Sequence, residues 1–276
     1  MYQEIFQDLL REHPSVPDLF KRNLLKEYLQ VLVLSLIYSK PQYQSLLFYG
    51  GSCLRHCFGL ERLSEDLDFV DLTRKVSLNS LSEDLTLFFQ KELGLDLICK
   101  IQKFRIYLKF PILSALNLAQ KGESNFLFLK IEVFKEFTYC ERFKVEVKPL
   151  FKFGKTLLVR TFDLSTLMAT KLNAILYRKW EKTTKTGESL IKVKGRDFFD
   201  LMWYLQKGIK PNLSCLKEVR TPTELNERLL TMIELIDPQS IRLDLMGLLD
   251  PRVVEDLSKN LKDILVNQIR DVKHHP

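Results

Sequence analysis

The chain has 276 residues, of which 46% are hydrophobic and 28% are charged, and its formal net charge is +7. This length and composition are typical of a globular protein of one or two domains and exclude a disordered chain. No apolar stretch approaches the ~20 residues of a membrane span, and the N-terminus lacks the charged start and apolar core of a signal peptide. We therefore expect a soluble, cytoplasmic protein without membrane contact.

The five cysteines are an odd number and are scattered without Cys-x-x-Cys spacing, so we expect reduced thiols. Cys53, His56 and Cys57 lie close together on a predicted helix. Because a soft-metal site would need a fourth ligand, we assign these three side chains to buried packing.

The first strong helix signal spans residues 18–39, where apolar residues recur at helical spacing. A short buried strand follows at 46–49, and Gly50 and Gly51 end it. Ser52 then stands where a helix would begin, so its hydroxyl could cap that helix or hold phosphate. The free N–H groups of a helix N-terminus favour a triphosphate, and glycine lets the backbone approach it without a Cβ.

Two carboxylates follow on the next predicted strand. Asp66 and Asp68 alternate with Leu67 and Phe69, so both carboxylates point to the same face. Like charges at such positions repel each other unless a cation neutralises them, and Mg²⁺ prefers carboxylate oxygen and bridges to phosphates. Two such ions can flank the attacking and leaving oxygens of a displacement at phosphorus. The glycine turn and the acidic strand together predict a metal-dependent nucleotidyl-transfer site.

The middle of the chain predicts an amphipathic helix at 77–93 and then a mixed sheet. Runs rich in aromatic or β-branched residues place its strands at 106–110, 126–134, 143–147 and 157–159. Glu132 alternates with apolar neighbours on the second of these strands, and the sheet would bring it near Asp66 and Asp68. A surface strand gives the same pattern.

Asp163 has the position of an N-cap, and the helix that follows would carry Lys171 and Arg178 on one face. Their separation is about two turns, so both cations could lie along a phosphate chain, with Lys171 neutralising the charge that grows as pyrophosphate leaves. From these residues alone, two surface cations beside the core are the simpler interpretation. Arg196 and Asp200 are four residues apart on the next helix, which a structural ion pair explains.

A basic, polar segment separates these two helices. Its lysines are Lys179, Lys182, Lys185, Lys192 and Lys194, against two glutamates. A solvated linker and a loop that holds a polyanionic acceptor both fit this composition.

After residue 211, three Asp-Pro or Thr-Pro pairs predict the starts of further helices. The sequence therefore predicts an α/β domain at 1–160 and a helical C-terminal domain at 161–276, which contributes Lys171.

The segment 50–69, with Gly-Gly-Ser followed by Ser-Glu-Asp-Leu-Asp-Phe, resembles the first motif of the AbiEii/AbiGii nucleotidyltransferase toxins, in the DNA polymerase β-like superfamily. Residues 130–133 resemble the strand with the third acidic residue of that family, and 167–178 its lysine helix. Residues 195–200 resemble its Arg-Asp-x-x-Asp motif. The segments follow the order of the family.

The resemblance implies a mixed-sheet nucleotidyltransferase domain with a helical C-terminal subdomain. It implies that Asp66, Asp68 and Glu132 hold Mg²⁺ and that Lys171 assists catalysis, although the family often carries aspartate where this chain has Glu132. The nucleotide-binding residues would be Gly50, Gly51, Ser52, Lys171, Arg178, Asp197 and Asp200.

The resemblance further implies a toxin of a toxin–antitoxin or abortive-infection pair, with an NTP as substrate, the tRNA 3′ end as acceptor and a cognate antitoxin as partner. NMP transfer to protein hydroxyls and a catalytically silent nucleotide- or RNA-binding module are the alternatives.

Overall fold

The computed structural model describes residues 2–137, 140, 142–178, 182–183, 189–191 and 193–271. The chain divides into two compact units, Met1–Phe137 with Val145–Thr161 and Thr138–Lys144 with Phe162–Pro276. The sequence analysis places a domain boundary after residue 160. The first unit is α/β and the second is mainly helical.

The first unit is built on a mixed seven-stranded sheet. Its strands are β1 (Leu47–Tyr49), β2 (Asp66–Val70), β3 (Ile98–Gln102), β4 (Arg105–Phe110), β5 (Leu127–Phe134), β6 (Val145–Lys152) and β7 (Lys155–Phe162). The strand order is β3-β4-β5-β2-β1-β7-β6. β2 runs parallel to β5 and antiparallel to β1, while β1 runs parallel to β7. The predicted α/β class with a mixed sheet is confirmed.

The α-helices among the described residues of this unit are α1 (Tyr2–Arg11), α2 (Asp18–Ser39), α3 (Gly50–Phe58) and α4 (Leu78–Leu87). The prediction of a helix over 18–39 is confirmed. The predicted helix at 77–93 is α4 and a turn of π-helix at Phe88–Glu92. One sheet face is apolar and fully buried, with Leu67, Phe69 and Ile131 among its residues. Burial of such side chains contributes about 2 kcal/mol each, so this face fixes the register of the strands.

The second unit contains helices joined by short connections. Its helices are α5 (Leu164–Tyr177), α6 (Gly195–Gln206), α7 (Pro222–Glu234), α8 (Pro238–Leu245) and α9 (Pro251–Asp271), and β8 (Lys182–Thr183) pairs with β9 (Ser189–Ile191). The prediction of three helices that begin at proline is confirmed. The side chains of Thr221 and Asp237 accept hydrogen bonds from the first turns of α7 and α8, as N-caps do.

Cys140 and Cys215 form a disulfide in the second unit, so the expectation of five reduced thiols is wrong for this pair. Arg142 lies beside the turn that carries Cys215, because Asn212 Nδ2 and Ser214 Oγ both donate to its carbonyl. Such a distant pairing leaves no spacing signal in the sequence. Among the helices that the structure describes, none is both long and apolar enough to cross a membrane.

Candidate functional site

The three predicted carboxylates lie on one face of the sheet. Asp66 and Asp68 project from β2 on the face opposite the buried Leu67 and Phe69. Because β2 pairs in parallel with β5, Asp68 is directly opposite Glu132. The predicted approach of Glu132 to the acidic strand follows from this register. We call this surface of β2 and β5 the carboxylate face.

Lys130 joins two of these carboxylates. Its Nζ lies 3.0 Å from Asp66 Oδ2 and 3.1 Å from Glu132 Oε1. Arg105 on β4 adds a second cation, with its Nε 2.5 Å from the same Glu132 oxygen. We call Lys130, Asp66 and Glu132 the Lys130 cluster. Its lysine supplies part of the charge neutralisation that the sequence analysis assigns to a metal ion.

The carboxyl groups of the Lys130 cluster differ in their pKa values. Burial raises the pKa of Asp66, and the ammonium of Lys130 offsets this effect only in part. Burial also acts to raise the pKa of Glu132, but hydrogen bonds from Arg105 and Lys130 outweigh it and lower that pKa. The pKa of Lys130 is raised, because attraction to Asp66 and Glu132 exceeds the opposing effect of burial. Glu132 therefore stays ionised more readily than Asp66.

The glycine turn lies against Asp68. Gly50 has φ +79°, and a Cβ at this position would stand 2.5 Å from Asp68 Oδ2. A Cβ on Gly51 would stand 2.6 Å from Arg62 Nη2, so this glycine also allows a close approach. Any larger residue at Gly50 would be strained and would displace the carboxylate of Asp68.

The start of α3 differs from its prediction. The helix begins at Gly50, its N-cap position is held by Tyr49 without a side-chain cap, and Ser52 lies inside the first turn. Ser52 is therefore not the cap. Its hydroxyl is fully buried and has no hydrogen-bond partner among the described residues. An unpaired buried hydroxyl costs about 1–3 kcal/mol.

A buried polar network connects the helix that follows this turn to neighbouring segments. His56 Nε2 lies 2.9 Å from Gln30 Oε1, and Gln30 Nε2 donates to the carbonyl of Ser64 at 2.8 Å. Burial lowers the pKa of His56 to about 3, which keeps the imidazole neutral. The network thus ties α2 and α3 to the segment that leads into Asp66, and it gives His56 a packing role with a specific partner.

The donor chemistry of the carboxylate face fits Mg²⁺, since Asp66, Asp68 and Glu132 offer the hard oxygen ligands that this ion prefers. Among the residues that the structure describes, however, no three His, Cys, Asp or Glu side chains are grouped closely enough to hold a metal. Lys130 contacts both Asp66 and Glu132. Coordination by all three carboxylates would therefore require Lys130 to exchange its partners for the ion.

The second unit holds another cation between carboxylates. Lys171 Nζ lies 2.7 Å from Asp197 Oδ1 and 2.9 Å from Asp200 Oδ2, and we call these residues the Lys171 cluster. Burial acts to raise the pKa of Asp197, but Lys171 and Lys194 outweigh it and lower that pKa. The structure thus brings together the predicted lysine helix and the Arg-Asp-x-x-Asp motif, α5 with α6.

One prediction about this unit is wrong. Helix α5 ends at Tyr177 and Arg178 is extended, so Arg178 does not share a helix face with Lys171. Arg178 lines a cavity of about 40 Å³ with Lys194 and Asp197 among its neighbours.

Arg196 pairs with Asp244 on α8, which accepts from its backbone N–H at 2.8 Å and from its guanidinium at 3.3 Å. Asp200 is fully buried and contacts Lys171. The motif is therefore connected both to α8 and to the lysine helix α5.

Sequence reasoning missed Lys130 and Arg105. Lys130 stands two residues before Glu132, so strand alternation could have placed both on one face. Arg105 is opposite Glu132 across β4 and β5, and that register is not readable from the sequence. Of the predicted basic loop, the structure describes the side chain of Lys194, whose pKa burial lowers. The side chains of Lys179, Lys182, Lys185 and Lys192 lie outside the described residues.

A family model described as "Nucleotidyl transferase AbiEii toxin, Type IV TA system" matches residues 34–273. The chain belongs to this family. It is therefore a nucleotidyltransferase of the type IV toxin–antitoxin class, and the matched range includes the carboxylate face and the Lys171 cluster. The predicted family is confirmed.

Two solved structures from Helicobacter pylori are similar to this AbiEii-family chain. The first, JHP933, is 18% identical, with 94% of this chain and 97% of that chain covered and a TM-score of 0.48. The second is provisionally assigned as a nucleotidyltransferase and is 19% identical to this chain. The match covers 91% of this chain and 98% of that chain, with a TM-score of 0.47. No curated protein matches the chain.

Proposed function

We propose that this AbiEii-family nucleotidyltransferase is a Mg²⁺-dependent toxin that transfers an NMP from an NTP to RNA, with the tRNA 3′ end as acceptor. In this reaction an acceptor hydroxyl oxygen attacks the α-phosphorus, the bond to the β-phosphate breaks, and pyrophosphate leaves. The proposed compartment is the cytoplasm, where NTP and RNA are both present, and the partner is the cognate antitoxin of the system.

The observation that supports the proposal most strongly is the contact between the glycine turn and the carboxylate face. Because Gly50 leaves room for Asp68 where a Cβ would stand 2.5 Å away, the first turn of α3 adjoins the carboxylates. A helix N-terminus favours phosphate and carboxylates favour Mg²⁺, so a metal-bound triphosphate suits this combination.

We assign roles to the residues of the first unit on this basis. Asp66, Asp68 and Glu132 would hold Mg²⁺, which when bound polarises the phosphoryl oxygens and neutralises developing charge. The backbone at Gly50 and Gly51 and the buried hydroxyl of Ser52 would hold phosphate oxygens.

In the second unit Lys171, Arg178, Asp197 and Asp200 stay predicted nucleotide-binding residues. A phosphate would have to compete with two carboxylates for the ammonium of Lys171, which lies within 3 Å of both. Asp197 and Asp200 would accordingly either position this ammonium for a phosphate or hold it away from the phosphate. The two roles differ in the effect that substitution of these aspartates has on the KM for NTP.

The proposal is tested by incubating the purified protein with each α-phosphate-labelled NTP, Mg²⁺, and either total RNA or lysate protein. We expect label on RNA with a preferred NTP, and no label with Asp68→Asn. The exposed carboxylate of Asp96 provides the matched control, since Asp96→Asn should retain full transfer. Label on protein would support the alternative acceptor, and absence of label on every acceptor would contradict the proposed reaction.

A further inference from the structure

We infer that the open face of β3, β4 and β5 binds the single-stranded 3′ segment of an acceptor RNA and leads it to the carboxylate face. This inference rests on the proposed function, since it names the acceptor surface of the same site. It involves none of the lysines of the predicted basic loop.

Strand register makes the two surfaces continuous. Across β4 and β5, Arg105 is opposite Glu132, Tyr107 is opposite Lys130, and Lys109 is opposite Phe128. Residues two apart on a strand share a face, so these pairs extend the carboxylate face in steps of two residues. From Glu132 to Phe128 the distance along β5 is about 13 Å, at roughly 3.3 Å per residue.

The far end of this surface is a groove of about 430 Å³. The residues that line it are Lys100, Ile101, Gln102, Tyr107, Lys109 and Phe128. Two of these are lysines and two are aromatic, and among the residues that the structure describes no acidic side chain belongs to this lining. The groove therefore has the charge to attract a polyanion.

Phe128 is the central feature of the groove. Its side chain is 44% exposed, whereas the adjacent residues of β5, Leu127 and Leu129, are buried on the opposite face of the sheet. The ammonium of Lys109 stands 5.3 Å from the centroid of the Phe128 ring. An exposed aromatic ring offers a stacking surface to any nucleobase, and a lysine beside it can contact the adjoining phosphate.

This combination favours single-stranded nucleic acid over a protein partner. Stacking on an open sheet face requires unpaired bases, and the 3′ end of an acceptor supplies them. An apolar protein partner would not require Lys100 and Lys109 at the centre of its contact, because interface cores are depleted of lysine. The groove lies on the same face as the proposed reacting centre, so RNA bound here could present its terminal hydroxyl to that centre.

The test is binding of a fluorescein-labelled single-stranded RNA ending in CCA, measured by anisotropy at several salt concentrations. For Phe128→Ala we expect about tenfold weaker binding with little change in salt dependence, because one base-stacking contact is lost. For Lys100→Ala with Lys109→Ala we expect the log–log salt slope to fall by about 1.4, since each single-strand phosphate contact contributes about 0.7.

Matched controls come from elsewhere in the first unit. Phe151 is 72% exposed on β6, and Lys91 is exposed beyond α4, so Phe151→Ala and Lys91→Ala should leave the affinity and the salt slope unchanged. The affinity for NTP should be the same in all variants, and in the labelling assay the KM for RNA should rise for Phe128→Ala.

Unchanged RNA affinity in the groove variants, with a folded wild type that binds RNA, would overturn the inference and leave the proposed transferase intact. Failure of the wild type to bind RNA, with label on protein, would also overturn it. RNA binding that depends on Phe128, without transfer of any NMP, would support the surface and contradict the proposed function.

Discussion

Each of the two units of this AbiEii-family chain has a lysine side chain that lies between two carboxylates. The distances are similar in the two units, but the burial of the carboxylates differs. In the Lys130 cluster the ammonium lies 3.0 and 3.1 Å from its partners, and in the Lys171 cluster 2.7 and 2.9 Å. The side chain of Asp66 is 36% exposed, whereas that of Asp200 is fully buried. Similar ion pairs are therefore partly exposed in one unit and buried in the other.

This difference separates two kinds of site. A partly exposed ion pair keeps some of its hydration and exchanges partners more easily than a buried one, so the Lys130 cluster can accept another cation. A buried pair has lost its hydration, and removing one partner leaves an uncompensated charge that costs about 3–5 kcal/mol. We therefore expect substitutions in the carboxylate face to change mainly the activity and the metal affinity. Substitutions in the Lys171 cluster should change mainly the stability.

The largest expected effect is on transfer activity. Asp68→Ala should reduce nucleotidyl transfer on the order of 1,000-fold, equivalent to about 4 kcal/mol of transition-state stabilisation, because a proposed metal ligand is lost. The variant should stay folded, since Asp68 projects from the carboxylate face and not from the buried apolar face of the sheet. Labelled-NTP assays and urea unfolding check both parts. A folded Asp68→Ala variant with full Mg²⁺-dependent transfer would contradict this role.

The second effect is on stability. Lys171→Met should lower the free energy of unfolding by about 3 kcal/mol or more, because the buried carboxylates of Asp197 and Asp200 lose the cation that they share. Lys130→Met should lower it by about 1 kcal/mol or less, because Lys130 and its partner Asp66 are partly exposed. Urea unfolding of both variants gives the comparison directly. Equal losses in the two variants would remove the distinction between a partly exposed and a buried cluster.

The third effect is a pH dependence from the network below the carboxylate face. Burial lowers the pKa of His56 from 6.5 to about 3, so the unfolded chain binds a proton between these values that the folded chain does not. Stability should therefore fall as the pH falls, by about 1.4 kcal/mol per pH unit below about pH 6. In His56→Gln this dependence should be much weaker at mildly acidic pH. If the free energy of unfolding depends on pH with the same slope in His56→Gln, other groups cause this dependence.

The smallest expected effect concerns the lysine of the Lys130 cluster. Lys130→Met should raise the affinity for Mn²⁺ several-fold, since the ion no longer competes with an ammonium for Asp66 and Glu132. The cost in stability should stay near about 1 kcal/mol, since Lys130 is partly exposed. Calorimetric titration with Mn²⁺ measures the affinity, and Lys91→Met serves as control. Weaker Mn²⁺ binding in Lys130→Met would show that the lysine assists the site rather than competing for it.

Local patterns predicted much of this architecture. Alternation of apolar and acidic residues placed Asp66 and Asp68 on one face, and proline with a capping residue located the starts of α7 and α8. Each of these signals depends on a few neighbouring residues, so the sequence contains it in full.

Contacts between distant segments were not predictable in the same way. The pairing of Arg196 with Asp244 depends on how α6 meets α8, and the approach of Arg105 to Glu132 depends on strand register. Strand β3 was missed because nearly all of its side chains are exposed, which removes the usual alternation. The disulfide of Cys140 likewise depends on the tertiary fold.

We propose that the carboxylate face, and not the Lys171 cluster, binds the catalytic metal. Mn²⁺ binding followed by electron paramagnetic resonance tests it with the wild type, Asp66→Asn with Asp68→Asn, and the control Asp96→Asn, each checked for folding by circular dichroism. We predict that the control binds Mn²⁺ like the wild type and that the double variant binds it at least about tenfold more weakly. Unchanged Mn²⁺ binding in the folded double variant would contradict the claim.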